Sequence, residues 1–217
     1  GSEMCIRDSS YLVQSPLFCV CDGMGGHAAG EVASSIAVET IAKTAPQSAD
    51  AARLAAAVEA ANAAVIEAAL NGLGKPGMGC TATCAYIEND TLAIAHVGDS
   101  RAYLLHEGTL IRVTRDHSYV EELVDAGEIT ADEARVHPNR SVITRALGSD
   151  PAMYADHFTL HIEEGDRLIL CSDGLSSMIP DSDIENIATQ SSTAQICVDN
   201  LVDAALAAGG HDNVTVV

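Results

Sequence analysis

Residues 18–31 read FCVCDGMGGHAAGE. An apolar run, Leu17 to Cys21, leads straight into Asp22. Three glycines follow within four residues, and a helical pattern begins soon after His27. Glycine permits backbone angles and close approaches that a Cβ forbids. A carboxylate at a strand end beside bare backbone is suited to holding a ligand. The same arrangement recurs along the chain. LILCSDGL (168–175) is an apolar strand running into Asp173 and Gly174. AHVGDSRAYLL (95–105) sets Asp99 after Gly98 and between two strand patterns, and GGHDNVTVV (209–217) sets Asp212 after two glycines and before a last apolar run. One Asp-Gly pair reads as a turn. Four of them at strand ends can converge on one rim if the strands share a sandwich.

The rest of the chain sets that frame. Residues 10–21 read as two short strands with a turn at Gln14-Ser15-Pro16, 28–44 as a helix, and about 50–70 as an Ala-rich helix. NGLGKPG (71–77) then breaks the chain. Strand patterns follow over Thr81–Ile87 and Thr91–Val97, then Ala102–His106 and Leu110–Val113, with turns at Glu88-Asn89-Asp90 and Glu107-Gly108. Residues 117–147 interrupt the β pattern with short helical pieces, and Thr130-Ala-Asp-Glu133 matches a capping box. Strands resume at Phe158–Ile162 and Arg167–Cys171. Helices follow at about 182–189, opened by the capping-box match Ser182-Asp-Ile-Glu185, and at 193–208, before a last strand over Asn213–Val217. Helices, a strand meander, then helices and a return strand do not alternate as βαβ units do. The order predicts an α+β fold, with two antiparallel sheets packed together and helices outside.

Composition narrows the function. The 217 residues suit one domain. Aromatics make up 3 % with no Trp, which disfavours base-stacking platforms. A net charge of −20, from 31 acids against 11 bases, argues against nucleic acid or anionic membrane as partners. The seven cysteines form no CxxC pair, and several lie in apolar runs, as buried thiols in a reducing compartment do. No stretch approaches the about 18 apolar residues needed to span a bilayer, so a cytoplasmic protein is expected. Residues 1–9, GSEMCIRDS, fit nothing that follows. They are expected to be a non-native or scar segment ahead of a domain over 10–217, one that is shortened at its N-terminus and slightly longer in nature than the sequence ends.

Converging carboxylates repel unless they protonate or share a cation. An all-oxygen donor set points to Mg²⁺ or Mn²⁺ rather than zinc. Two such ions about 4 Å apart would hold a bridging water and clamp an in-line displacement at phosphorus. The class inferred is metal-assisted phosphoester hydrolysis. No GxxxxGK[ST], HExxH or Gly-x-Ser-x-Gly appears. Cys19, Cys21 and Cys171 lie in strands and lack the Cys-x5-Arg spacing of a nucleophilic thiol.

DGMGGHAAGEVAS, VGDSRAYL, TRDHS, HPNRSVITRALG, CSDGL and GGHDNVTVV occur in this order. Together they resemble the bacterial branch of the metal-dependent protein phosphatases, the PPM or PP2C family, over about residues 10–217. The resemblance implies a four-layer α-β-β-α sandwich and hydrolysis of phosphoserine and phosphothreonine on proteins, the targets of a bacterial Ser/Thr kinase. It implies that Asp22 bridges two metals, that Gly23 offers its carbonyl to one, and that Asp173 and Asp212 complete the first site. Asp99 and Asp173 would hold a third, weaker ion, and 117–147 would be a flap beside the site that bears on substrate choice. Three departures stand against it. The family's N-terminal strand carries a phosphate-binding Arg and then an Asn-Glu/Gln-Asp triplet, where this chain has Arg7-Asp8-Ser9, with Asp8 within one position of a family acid. Met24 stands where some relatives have His, so His27 does not inherit the general-acid role. Ser177 stands where some have an acid. A catalytically impaired module that binds metal or phosphoprotein, and a hydrolase of small phosphoesters, are the rival readings. Outside the carboxylate set, His27, His137, Arg101, His211 and Asn213 each carry a structural reading: loop or helix cap, solvated flap residue, ion pair, outer or surface residue, and loop support.

Overall fold

The computed structural model describes residues 8–210 and 213–217. Strands β1 (Ser9–Gln14) and β2 (Leu17–Met24) form a hairpin around the cis Ser15–Pro16 bond. Helices α1 (His27–Thr44) and α2 (Ala51–Leu70) follow, the second capped by Asp50, whose side chain accepts from Arg53 N–H. Then come β3 (Gly79–Cys80), β4 (Ala82–Glu88), β5 (Thr91–Val97), β6 (Arg101–His106) and β7 (Thr109–Arg112). Helices α3 (Tyr119–Asp125) and α4 (Ala131–Val136) form the interrupting segment. Strands β8 (Asp156–His161) and β9 (Arg167–Cys171) lead into α5 (Asp173–Ser176), α6 (Asp181–Gln190) and α7 (Ala194–Ala207).

All pairing is antiparallel. One sheet runs β1-β2-β4-β5-β8, with β3 beside β2, and the other runs β7-β6-β9. The layers follow from the two-residue alternation of strands. In β2, Cys19 and Cys21 face α1 and α2, while Val20 faces the other sheet. In β5, Ala93, Ala95 and Val97 face the helices, while Leu92 and Ile94 face inward. The second sheet mirrors this. Tyr103 and Leu105 of β6 and Ile169 and Cys171 of β9 pack under α5–α7, while Ala102 and Leu170 meet the first sheet. Strands buried on both faces read as continuous apolar runs, and the result is the four-layer sandwich expected. Alanines on the helices let them sit close: Ala33 and Ala37 of α1 and Ala55 and Ala61 of α2 are buried.

Three details depart from the sequence reading. Residues 213–217 form no extended strand. They make a single bridge, Cys171 to Val216, flanked by hydrogen bonds between Leu170 and Val217. The Ser182–Glu185 capping box does not form. Helix α6 starts one residue earlier with Pro180 as its cap, and Glu185 instead accepts from Leu110 N–H at 2.8 Å. Asp22 is not the last residue of its strand, because Gly23 and Met24 continue into pairs with Cys80 and Gly79. The Thr130–Glu133 box forms as read. Among the described residues no helix is long and apolar enough to cross a membrane.

Candidate active site

Asp22 sits in β2 opposite Ser9, whose Oγ donates to its Oδ1 at 2.6 Å. Its backbone N–H donates to Thr81 Oγ1 (2.9 Å), and Thr81 N–H returns a bond to Asp22 O (2.9 Å). Thr81 Oγ1 in turn lies 2.7 Å from Ser100 Oγ, in the turn that carries Asp99. A hydroxyl relay therefore ties the strand of one acid to the turn of another. Glycine makes the approach possible: a Cβ on Gly98 would stand 2.6 Å from the Thr81 side chain, and its φ of 106° is in the left-handed region. Gly23 is held as tightly, since a Cβ there would fall 2.4 Å from Asp8 O and 2.3 Å from Gly30 O.

Asp8 O accepts from Gly23 N–H (3.1 Å) and Ser34 Oγ (2.8 Å), which seats Asp8, itself buried, beside Asp22. Asp173 opens α5 at the end of β9. Ser177, in the place where some relatives carry an acid, donates to Asp173 O at 2.6 Å. The segment from Asn213 approaches the same point: Ser172 Oγ donates to Asn213 O at 3.1 Å, and a Cβ on Gly174 would lie 2.3 Å from that oxygen. Asp212 and His211 lie outside the described residues.

Electrostatics reveal how close these acids are. Burial pushes the Asp22 carboxyl up to about 8, and the charges of Asp173 and Asp8 add to the effect. Burial also pushes Asp99 well above the carboxylate range, followed by the charges of Asp173, Asp116 and Asp22. Asp22, Asp99, Asp173 and Asp8 thus share one electrostatic site. Among the described residues no three His, Cys, Asp or Glu side chains close into a complete metal cage. The chemistry of the set nevertheless suits a hard cation, because the gathered groups are carboxylates whose charges raise the cost of ionising Asp22 and Asp99.

Contacts around His117 and Arg101, which the sequence alone does not pair, hold the Asp99 turn. Gly98 N–H donates to His117 Nδ1 (3.0 Å), and His117 N–H donates to Gly98 O (2.8 Å). His117 Nε2–H then donates to Asp156 Oδ2 at 2.8 Å, which fixes the neutral tautomer. Arg101, two residues after Asp99, makes a bidentate bond to buried Asp116 (Nη2 at 2.8 Å, Nε at 3.0 Å). This is the structural ion pair expected of it. The TRDHS motif (114–118) therefore clasps the VGDSRAYL motif. The sequence signal was present in the two motifs, but their pairing is a long-range fact. His27 begins α1, and His137 caps α4, its Nδ1 accepting from Asn139 N–H at 3.0 Å.

Comparison with known proteins agrees with this arrangement. The protein phosphatase 2C family model matches residues 3–214. The serine/threonine phosphatase Stp of Listeria welshimeri is 37% identical over 209 residues, covering 93% of this chain and 83% of that protein. The serine/threonine protein phosphatase PstP of Mycobacterium tuberculosis is 41% identical over 217 residues, covering 97% of this chain and 41% of that longer protein. The crystal structure of the M. tuberculosis phosphatase PstP/Ppp superposes with a TM-score of 0.91 at 38% identity, covering 99% of this chain and 95% of that one. The catalytic domain of PstP in complex with two manganese ions superposes at 0.89 with 36% identity, covering 99% and 94%. The chain belongs to the protein phosphatase 2C family of metal-dependent serine/threonine phosphatases.

Proposed function

We propose that this chain hydrolyses phosphoserine and phosphothreonine on proteins with Mg²⁺ or Mn²⁺, and that Asp22, Asp173 and Asp212, with the Gly23 carbonyl, are its principal metal ligands. Asp99 with Asp173 would hold a third, weaker ion. The observation that carries the reading is the gathering of Asp22, Asp99 and Asp173 at one rim, where the charge of Asp173 raises the cost of ionising both Asp22 and Asp99. Asp8, seated against Gly23 and Asp22, takes the place of a further acid.

Bound divalent ions supply positive charge for the phosphoryl oxygens and lower the pKa of bound water. The protein's part is preorganisation. The Ser9 hydroxyl and the strand pairing fix Asp22, the Thr81–Ser100 relay fixes its distance from the Asp99 turn, and α5 fixes Asp173. The segment proposed as the flap, α3–α4, is anchored at its stem by the Ser118–Ile143 bridge and by Thr144 N–H to His117 O. Substrates are proposed to be the targets of a bacterial Ser/Thr kinase. A cytoplasmic setting is supported by six described cysteines, all free and buried.

The test is phosphate release from a phosphothreonine peptide and from a small aryl phosphate, with Mn²⁺, Mg²⁺ or EDTA. Metal-dependent release with a higher kcat/KM for the peptide is expected. Release only from the aryl phosphate would overturn the protein-phosphatase reading.

A further inference from the structure

A cleft of about 730 Å³ opens between the flap and α5–α6, lined by Asp99 and Asp173 and by Arg135, Arg140 and Ser141 of the flap. The other two arginines on its walls are already neutralised: Arg101 by Asp116, and Arg112 by Glu121 at 2.5 Å. Arg135 and Arg140 have no carboxylate partner among the described residues. Arg135 reaches Met178 O at 3.4 Å, its Nε is buried without an acceptor among the described residues, and Arg140 reaches His137 O at 3.4 Å. Both contacts are at the weak limit of hydrogen bonding. Asp132 is the single further acid on that wall without an ion-pair partner among the described residues. In a chain of net charge −20, two uncommitted guanidinium groups facing one cleft are unusual. Guanidinium matches phosphate oxygens in charge and in its planar fork of donors.

We propose that Arg135 and Arg140 form a second anion subsite, which takes a second phosphorylated residue of the same substrate. The inference rests on the phosphatase reading above for what occupies the acid rim. Spacing follows from size. Both groups line one cleft of about 730 Å³ and extended chain rises about 3.3 Å per residue, so the second phosphate falls within a few residues of the one hydrolysed. An acidic residue there is a weaker ligand, because a carboxylate carries less charge and fewer acceptor oxygens than a phosphate.

The test compares a phosphothreonine peptide with the same peptide bearing a second phosphothreonine two residues away, and with one bearing it ten residues away. kcat/KM is measured with Mn²⁺, and Kd by fluorescence anisotropy in EDTA. The near second phosphate is expected to raise kcat/KM and tighten Kd about tenfold, as charge-assisted hydrogen bonds do, and the distant one to change neither. In Arg135→Gln/Arg140→Gln the ratio between near-doubly and singly phosphorylated peptides falls towards one, while Arg135→Lys/Arg140→Lys restores part of it. Inorganic phosphate is the second source of the same chemistry. If millimolar phosphate erases the ratio, the subsite also takes the free ion; if the ratio persists, the subsite prefers the peptide. Equal ratios in the wild type and the Gln variant, or a wild-type ratio near one, would overturn the subsite. Tighter binding in EDTA with no release from any peptide would leave the subsite standing and sink the phosphatase reading instead.

Discussion

Thr81 is the residue on which the acid site turns. Its hydroxyl accepts the Asp22 N–H and meets Ser100 Oγ, while its side chain fills the space a Cβ on Gly98 would need. Thr81→Val keeps the shape and removes the hydroxyl, leaving a buried N–H without its acceptor. A cost of about 1–3 kcal/mol is expected, read as a lower urea midpoint, together with a raised Mn²⁺ concentration for half-maximal activity. An unchanged metal requirement would mean that the relay serves stability alone. Asp8→Asn tests whether that acid belongs to the site. Its side chain is buried beside Asp22, and weaker Mn²⁺ binding by calorimetry is expected, with little change in fold. Thr81 does not announce itself in the sequence, being one more β-branched residue at a strand start, whereas Asp8 is marked there only by lying within one position of a family acid, in a stretch that otherwise fits nothing that follows. The strand-end positions of Asp22, Asp99 and Asp173 were legible because glycine and a strand end are both local signals, and Asp212 lies outside the described residues.

At the scale of elements, the β5–β6 turn is clasped from both sides. Arg101 and Asp116 are 17% and 9% exposed at their side chains, so Asp116→Asn leaves a largely buried guanidinium with only the half-exposed Asp181, at 3.6 Å, as counter-charge among the described residues. A loss of about 3 kcal/mol is expected, measured by chemical denaturation. The neighbouring histidines add a pH dependence. Burial, and then the charge of His117, lowers His96 to about 4, and burial lowers His117 against the pull of Asp156. Both are neutral in the fold, with His96 Nε2–H donating to Arg115 O (3.0 Å) and its Nδ1 accepting from Thr83 Oγ1 (3.0 Å). Their folded pKa values lie below the unfolded value of about 6.5. The stability tied to them is therefore complete above that pH and lost as pH falls towards 4. His96→Gln is expected to flatten the slope of the urea midpoint between pH 6.5 and 4.5; an unchanged slope would assign the acid sensitivity elsewhere. The strands and both long helices could be read from periodicity, and the Thr130 box from its spacing. The Ser182 box could not, because its Glu185 is drawn to the edge strand β7 by a contact that no local window contains.

For the whole molecule, the four layers rest on a thin inter-sheet core of Val20, Ala85, Leu92, Ile94, Ala102 and Leu170. The apolar strands told of burial on both faces, but not which residue faces which layer, since the pattern is apolar throughout. Leu170, 1% exposed, is the test: Leu170→Ala removes packing shared by both sheets and is expected to cost about 2–5 kcal/mol, with an unchanged denaturant slope. The acid rim couples this scaffold to its ligand. A cation that binds the folded state alone adds about 2.7 kcal/mol at a hundredfold its Kd, so Tm should climb with Mn²⁺ and fall back with EDTA. The measurement that bears most directly on the account is Mn²⁺ binding by calorimetry, paired with phosphate release from a phosphothreonine peptide, for the wild type and for Asp173→Asn. The wild type is expected to bind Mn²⁺ and release phosphate, and the variant to lose both while keeping its fold by circular dichroism. A folded Asp173→Asn protein that still binds Mn²⁺ and hydrolyses the peptide at the wild-type rate would contradict it.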